Sequence, residues 1–303
     1  MVNAPSRASS SPPDVSLAES RAHCLRLAHE HYENFTVLSW LTPQALRPHR
    51  AALYAFCRTV DDLGDEGDGG AGDRLARLDA FESELDEALA GRGRGLLFRA
   101  LGETIGRLDL PREPFARLIE ANRIDQRRPR QPTFDDVLQY CEHSANPVGR
   151  LVLMLHGYGD DERFALSDAT CTALQLANFW QDLARDFAVG RIYLPQDEMA
   201  AHGVLDEDLG ASSASDRLRE LVRIQVDRAH ELFVEGLPLI DRVRGRLRVE
   251  LALFSRGGLA VLDAIRAQGY DTLKARPTVS SGAKRRLITT TILGLMTRSR
   301  QWS

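Results

Sequence analysis

The chain has 303 residues, with 39 Lys and Arg against 43 Asp and Glu, a net charge of −4 and 43% hydrophobic residues. This balance excludes a globally basic nucleic-acid binder and a highly acidic, unfolded chain. The length allows two domains, although large helical folds reach this size as one, and it suffices to bury a sizeable core.

Residues 1–16, MVNAPSRASSSPPDVS, are rich in Ser, Pro and Ala and lack the apolar stretch of a secretory signal, so they read as a disordered tail. From residue 17 to 298 the apolar period is helical. Amphipathic segments are predicted over Ala18–Tyr32, Pro43–Asp65, Asp73–Ala90, Leu96–Leu108, Glu113–Asp125, Phe134–His143, Pro147–Gly157, Ser167–Phe187, Ser213–Leu237 and Arg244–Ala267. Loops are expected at Gly67–Gly72, Gly91–Gly95, Arg127–Pro132 and Gly203–Ser215. The only extended-looking run is Arg191–Pro195, ended by its proline. The sequence therefore predicts one all-α domain. No apolar run reaches the 18 residues that suggest a membrane span. Cys24, Cys57, Cys141 and Cys171 form no CxxC pair, which argues against a zinc ribbon or dithiol site and for a reducing cytosol.

Two predicted helices carry acidic patterns. In Tyr54–Glu66, Asp61 and Asp65 are four apart and share a face, with Arg58 one turn earlier. Taken alone this could be a solvated helix end, and Glu66 and Asp68 nearby fit that reading. In Gln175–Asp186, the residues Gln175, Asn178, Asp182 and Asp186 step by three, four and four along a helix otherwise made of Leu174, Leu176, Ala177, Phe179, Trp180 and Leu183. Buried carboxylates without partners are costly. Two of them about 5 Å apart repel by roughly 3 kcal/mol at an effective dielectric near 20. A cation should stand between them, and Mg²⁺ suits: it takes carboxylate oxygens, keeps several waters and is completed by substrate phosphates. Arg58, Arg191 and the Tyr193 hydroxyl could add phosphate contacts. The expectation is a site for ionising an allylic diphosphate in an apolar helical cavity.

These segments resemble the squalene/phytoene synthase family over about residues 18–295. The first is similar to the family's YAFCR…DDxxD, and Gln175–Pro195 is similar to QLxNxxRDxxxDxxxxRIYLP. The resemblance implies an isoprenoid synthase fold with two aspartate-rich motifs holding Mg²⁺ and a prenyl diphosphate. It places metal ligands at Asp61, Asp65, Asn178, Asp182 and Asp186, catalytic positions at Tyr54, Arg58 and Tyr193, and substrate contacts at Arg58, Asp62, Gln175, Arg191 and Tyr193; Asn146 is a further catalytic candidate on its own polarity, not from the resemblance. The chain departs from the pattern in several places. Gln181 stands where the family has Arg. His31-Tyr32-Glu33-Asn34-Phe35 replaces HxxSFxxA. Tyr140-Cys141-Glu142-His143-Ser144-Ala145-Asn146-Pro147-Val148-Gly149 replaces YCxxVAGxVG. Gly258 replaces a common Tyr.

The segments HYENF, SANPVGRLVL, NFWQD and RGGLAVLD resemble a bacterial branch, the hydroxysqualene synthases of hopanoid biosynthesis. That resemblance implies a lyase converting presqualene diphosphate and water to hydroxysqualene and diphosphate. A presqualene diphosphate synthase would act before it and a flavin-dependent, squalene-forming reductase after it. The alternatives are a head-to-head prenyl transferase making presqualene diphosphate, squalene or phytoene, and a non-catalytic scaffold of the same fold. A scaffold has no use for four converging aspartates. No Rossmann glycine pattern is present, and NADPH is not expected.

In the SANPVG segment, His143 and Asn146 could orient a water; Asn146 could equally cap the helix that Pro147 opens. The cavity wall is expected to include Leu151, Met154, Leu174 and Phe179. His29-Glu30-His31 lacks metalloprotease spacing and reads as surface. Lys284-Arg285-Arg286 before Leu287–Leu293 reads as the basic start of a final core helix. A peripheral contact with the inner membrane face remains the other use of that element.

Overall fold

The computed structural model describes residues 15–30, 41–65 and 69–299. The expected tail up to residue 14, the His31–Phe35 motif, and Glu66 and Asp68 lie outside the described residues. The described chain runs α1 (Leu17–Glu30), a 3-10 turn (Gln44–Leu46), α2 (Arg47–Asp65), α3 (Ala71–Leu89), α4 (Gly95–Leu108), α5 (Glu113–Arg127), α6 (Phe134–Ser144), α7 (Asn146–Leu155), α8 (Asp161–Gln181), α9 (Leu183–Ala188), α10 (Gln196–Ala201), α11 (Asp206–Leu209), α12 (Asp216–Gly236), α13 (Leu239–Arg242), α14 (Gly245–Ala267) and α15 (Ser281–Ser299). The all-α expectation holds for the described residues.

Three local differences from the sequence reading have physical causes. The helix expected over Ser167–Phe187 begins earlier, because the Asp160 carboxylate caps it by accepting from the Arg163 amide at 3.1 Å. It then breaks at Asp182, whose backbone (φ −109°, ψ 16°) leaves the helical region before α9 resumes. The loop expected over Gly203–Ser215 contains α11, and α10 and α13 are further short helices below the length at which apolar periodicity can be read. Asn146 does not cap α7. It is the first residue of that helix, is buried, and its Oδ1 accepts the Thr172 hydroxyl of α8 at 2.9 Å.

Two apolar clusters carry the fold. One joins α2, α3, α4 and α5 through Phe56, Phe81, Phe98 and Phe115, with Phe56 and Phe115 edge-to-face at 5.2 Å. The other surrounds α8 and α12 with Trp180, Leu176, Leu221, Val222 and Phe233, all fully buried. Each such side chain contributes about 1.5–3 kcal/mol on burial. α15 lies on α14 through Leu287, Ile288 and the buried Thr291, which accepts from Arg256 at 2.8 Å. Its basic start, Lys284-Arg285-Arg286, is exposed, so core packing and a free basic turn coexist on one helix.

The run Arg191–Pro195 is extended and lies beside Pro129–Pro132. Ile192 N–H donates to Pro129 O at 2.9 Å, and Gln196 N–H to Gln131 O at 3.0 Å. Extended residues alternate sides. Ile192 and Leu194 enter the core, and Arg191 and Tyr193 face a cavity between α2, α5, α6 and α8.

Candidate active site

The cavity has a volume of about 270 Å³. α2 brings Asp61 and Asp65 to it, one turn apart. From α5 come Leu118, Ala121, Asn122 and Asp125, a stripe with period three to four, and from α6 Tyr140 and Ser144. α8 supplies Gln175, Asn178 and Phe179, the helix break Asp182, α9 Asp186, and the extended run Arg191 and Tyr193. Two sequence-distant acidic motifs thus share one space, joined by a third acidic residue, Asp125, that the sequence reading missed.

Cations occupy part of this acidic set. Arg191 Nη2 donates to Asp65 Oδ1 at 2.5 Å and its Nε lies 4.0 Å from Asp125. Arg276, on the irregular segment after α14, forks onto Asp182, Nε to Oδ1 at 2.6 Å and Nη2 to Oδ2 at 2.7 Å. The neighbouring Gln181 is buried and donates to the Pro277 carbonyl, so it fastens the segment carrying Arg276. Where the family pattern has an arginine at 181, this chain brings a guanidinium to Asp182 from residue 276.

Asp61 and Asp186 have no ion-pair partner among the described residues. Burial pushes the Asp186 carboxyl up to about 7, and the adjacent Asp182 adds to the rise while Arg191 opposes it. Burial likewise raises Asp61 to about 6, against the bond it accepts from Asn122 Nδ2 at 3.3 Å. Asp125 is raised by burial and held back by Arg191 and by two phenols. Tyr140 Oη donates to it at 2.7 Å and Tyr193 Oη at 3.2 Å. The same burial and carboxylate hold both phenols well above their ordinary range. Tyr193 stacks on Phe179 at 3.8 Å, and Tyr140 lies 5.4 Å from Tyr193, so the three rings form one wall.

Among the described residues no three His, Cys, Asp or Glu side chains converge as a ready-made metal cage. The donor set fits a hard cation nonetheless. It is all oxygen (Asp61, Asp186, Asn178, Gln175), it contains two carboxylates without a counter-ion, and Mg²⁺ needs only one or two carboxylates with waters and substrate phosphates.

The other sequence candidates lie elsewhere. Arg58 pairs with Asp62 at 2.6 Å, and neither lines the cavity. Tyr54 packs beside Cys24, Ala51 and Ala55 under α1. Asn146 is turned to Thr172. His143 is hydrogen-bonded through its ring to Gln139 O at 2.9 Å and borders a separate, open groove with Arg112 and Arg117. Leu151 and Met154 belong to the α2–α5 core and Leu174 packs on the α8 core, which leaves Phe179 as the one expected wall residue at the cavity. Leu174 also fills the space above Gly258: a Cβ there would lie 2.9 Å from its Cδ2 and 2.2 Å from Phe233 Cζ. Asn122 and Asp125 carried a faint signal, the polar end of the Leu118–Asp125 stripe. Arg276 carried none.

The squalene/phytoene synthase family matches residues 28–283. The chain belongs to that family. The 15-cis-phytoene synthase of Synechococcus elongatus is 31% identical over 286 residues, covering 89% of this chain and 91% of that one. Phytoene synthase 1 of Solanum lycopersicum is 30% identical over 278 residues; the match takes in 88% of this chain and 66% of that longer protein. Among solved structures, squalene synthase HpnC from Alicyclobacillus acidocaldarius superposes with a TM-score of 0.80 and 52% identity, over 84% of this chain and 95% of that one. A dehydrosqualene synthase in complex with ligand superposes with a TM-score of 0.82 at 24% identity, over 93% and 98% of the two chains. The fold is thus the isoprenoid synthase fold of squalene/phytoene synthases, whose members act on prenyl diphosphates. No described helix is long and apolar enough to cross a membrane.

Proposed function

We propose that the protein is a Mg²⁺-dependent hydroxysqualene synthase, taking presqualene diphosphate and water to hydroxysqualene and diphosphate. The observation that carries this reading is the 52% identity with squalene synthase HpnC, in a chain whose two acidic motifs meet at one cavity. Asp61, Asp65, Asn178, Asp182 and Asp186 would hold the metal, with Gln175 beside them. Mg²⁺ would supply the positive charge that neutralises diphosphate as it departs.

The chain's own residues do the rest. Arg191 and Arg276 sit on carboxylates at the cavity and are the guanidiniums that an arriving diphosphate can recruit. Asp125 fixes the Tyr140 and Tyr193 phenols, so the wall they form with Phe179 offers ring faces to a carbocation without rotating. Tyr54, Arg58 and Asp62, placed at the site by the family pattern, and Asn146 do not line the cavity, and this reading gives them no direct contact with the reacting atoms. The pathway places a presqualene diphosphate synthase upstream and a flavin-dependent reductase downstream. Peripheral membrane contact through the basic turn of α15 would suit an apolar C30 substrate.

The purified protein with Mg²⁺ and presqualene diphosphate in ¹⁸O-water should give one labelled C30 alcohol, and NADPH should change neither rate nor product. Unlabelled squalene formed with NADPH overturns the reading. The second reading, a head-to-head prenyl transferase, is favoured by the 31% identity with 15-cis-phytoene synthase. Rapid joining of two farnesyl or geranylgeranyl diphosphates by this protein alone would decide for it.

A further inference from the structure

The two guanidiniums on the acidic set stand on different footings. Arg191 lines the cavity, at the start of a run fixed to Pro129 and Gln131. Arg276 is not part of the lining. It reaches Asp182 from the irregular strap that joins α14 to α15. Asp271 anchors that strap upstream: it is buried and accepts from the Ala214 amide at 2.9 Å and from Arg219 Nη2 at 3.1 Å. Lys274 and Ala275 follow and are exposed. Beyond them the strap is fastened to the end of α8 by the Arg276 fork and by the Gln181 bond to the Pro277 carbonyl.

The fork engages both oxygens of Asp182 and offsets its charge. Arg185 Nη1 lies 3.5 Å from the same carboxylate, but that side chain is mostly exposed and its pairing is screened. A dication entering the cavity therefore meets Asp182 already matched by a cation. Diphosphate alters the balance, because its oxygens are more highly charged than a carboxylate's and accept a guanidinium at least as well. With Gln rather than Arg at 181, the guanidinium that must change partners rides on the strap and not on α8, so an exchange at Asp182 is also felt by the strap.

We propose that Arg276 is a positioning residue that gates Asp182: it holds this carboxylate away from a metal ion until diphosphate takes over its guanidinium, so that metal and diphosphate enter the site together. The inference rests on the reading of the cavity as a Mg²⁺ and diphosphate site, which both functional readings share. No covalent bond changes; one charge-assisted pair is exchanged for another. By linkage, diphosphate tightens the metal by the same factor as the metal tightens diphosphate.

The test titrates wild type, Arg276→Gln and Arg276→Lys by calorimetry, first with Mg²⁺ alone and then with preformed magnesium diphosphate. The Gln variant should bind Mg²⁺ alone about tenfold more tightly than wild type and magnesium diphosphate about tenfold more weakly, the low end for a charge-assisted bond. The Lys variant, which keeps the charge and loses the fork, should bind Mg²⁺ alone about threefold more tightly, and it carries the test if Gln does not fold. A merely structural Arg276 would give no such gain, so Mg²⁺ binding that is unchanged or weaker in the folded variants overturns the inference alone. The strap has its own readout, because Lys274 and Lys284 are the only lysines of the chain. A lysine-specific protease should cut the Gln variant after Lys274 about tenfold faster than wild type, and equal rates overturn the fastening role of Arg276. A wild type that binds neither Mg²⁺ nor magnesium diphosphate overturns the metal reading of the cavity and this inference with it.

Discussion

Replacing Asp186 by Asn should make the ligand-free protein more stable while disabling the site. The Asp186 carboxyl titrates near 7 in the fold against an ordinary 3.8, because burial and Asp182 disfavour its charge. A pKa displacement of one corresponds to about 1.4 kcal/mol, so the fully charged group costs at most about 4 kcal/mol. Asp186 is half-buried, and solvent screening brings this to about 2 kcal/mol. For a chain of 303 residues, the unfolding entropy is about 0.6 kcal/mol/K, so the Asn variant should melt about 3 °C higher at pH 8. The sign follows from linkage. The folded pKa is raised, so the fold binds the proton more tightly than the unfolded chain, and wild-type stability from this group falls as pH rises from about 4 through 7. The Asn variant does not respond, so the gap between the two should be full above pH 8 and vanish near pH 4. Melting curves of both proteins across that range read it directly. With Mg²⁺ and inorganic diphosphate the order should reverse, since the carboxylate then gains its counter-ion. A variant that melts at or below wild type at pH 8, or a gap that does not close on acidification, would refute the argument that an uncompensated buried charge sits there.

Asp125→Ala strands the Tyr140 and Tyr193 hydroxyls and removes a neighbour of Arg191; it should cost about 2–4 kcal/mol, read as a melting point roughly 3–7 °C lower. Glu250, fully buried and paired with Arg50 between α14 and α2, should cost about 3–5 kcal/mol on change to Ala, by urea denaturation, because the half-buried guanidinium loses the carboxylate that it grips with two nitrogens. His49 is buried against Thr104, and burial lowers its pKa, so its contribution is present above about pH 6.5 and lost as pH falls through the folded value. A His49→Gln variant should show a flatter loss of stability between pH 6.5 and 5 than wild type, and an equal slope would discount that histidine.

The period of apolar residues was enough to read most helices, from α1 to α14, because each long helix buries one stripe and the stripe is written in adjacent turns. It was enough also to align Asp61 with Asp65, and Gln175 with Asn178 and Asp182, since residues three and four apart share a helical face whatever the tertiary fold. The continuous stripe to Asp186 was read less well. The helix breaks at Asp182, and the break comes where Arg276 and the Gln181–Pro277 bond draw that turn to a segment nearly a hundred residues away. Local periodicity carries no trace of such a partner.

What the sequence by itself determined is therefore the helices and the face on which each acidic motif lies. Tertiary structure decided which faces meet. Packing α5 and α6 against α2 and α8 added Asn122, Asp125, Tyr140 and Ser144 to the site. The same packing left Arg58 and Asp62 paired with each other outside the cavity, and turned Asn146 to Thr172. The physical reason is one of range. A helical face is fixed by dihedral angles within a few residues. A buried carboxylate's partner is fixed by which distant segment can bring a donor to it at the least cost in desolvation, and that is settled only when the whole core has packed.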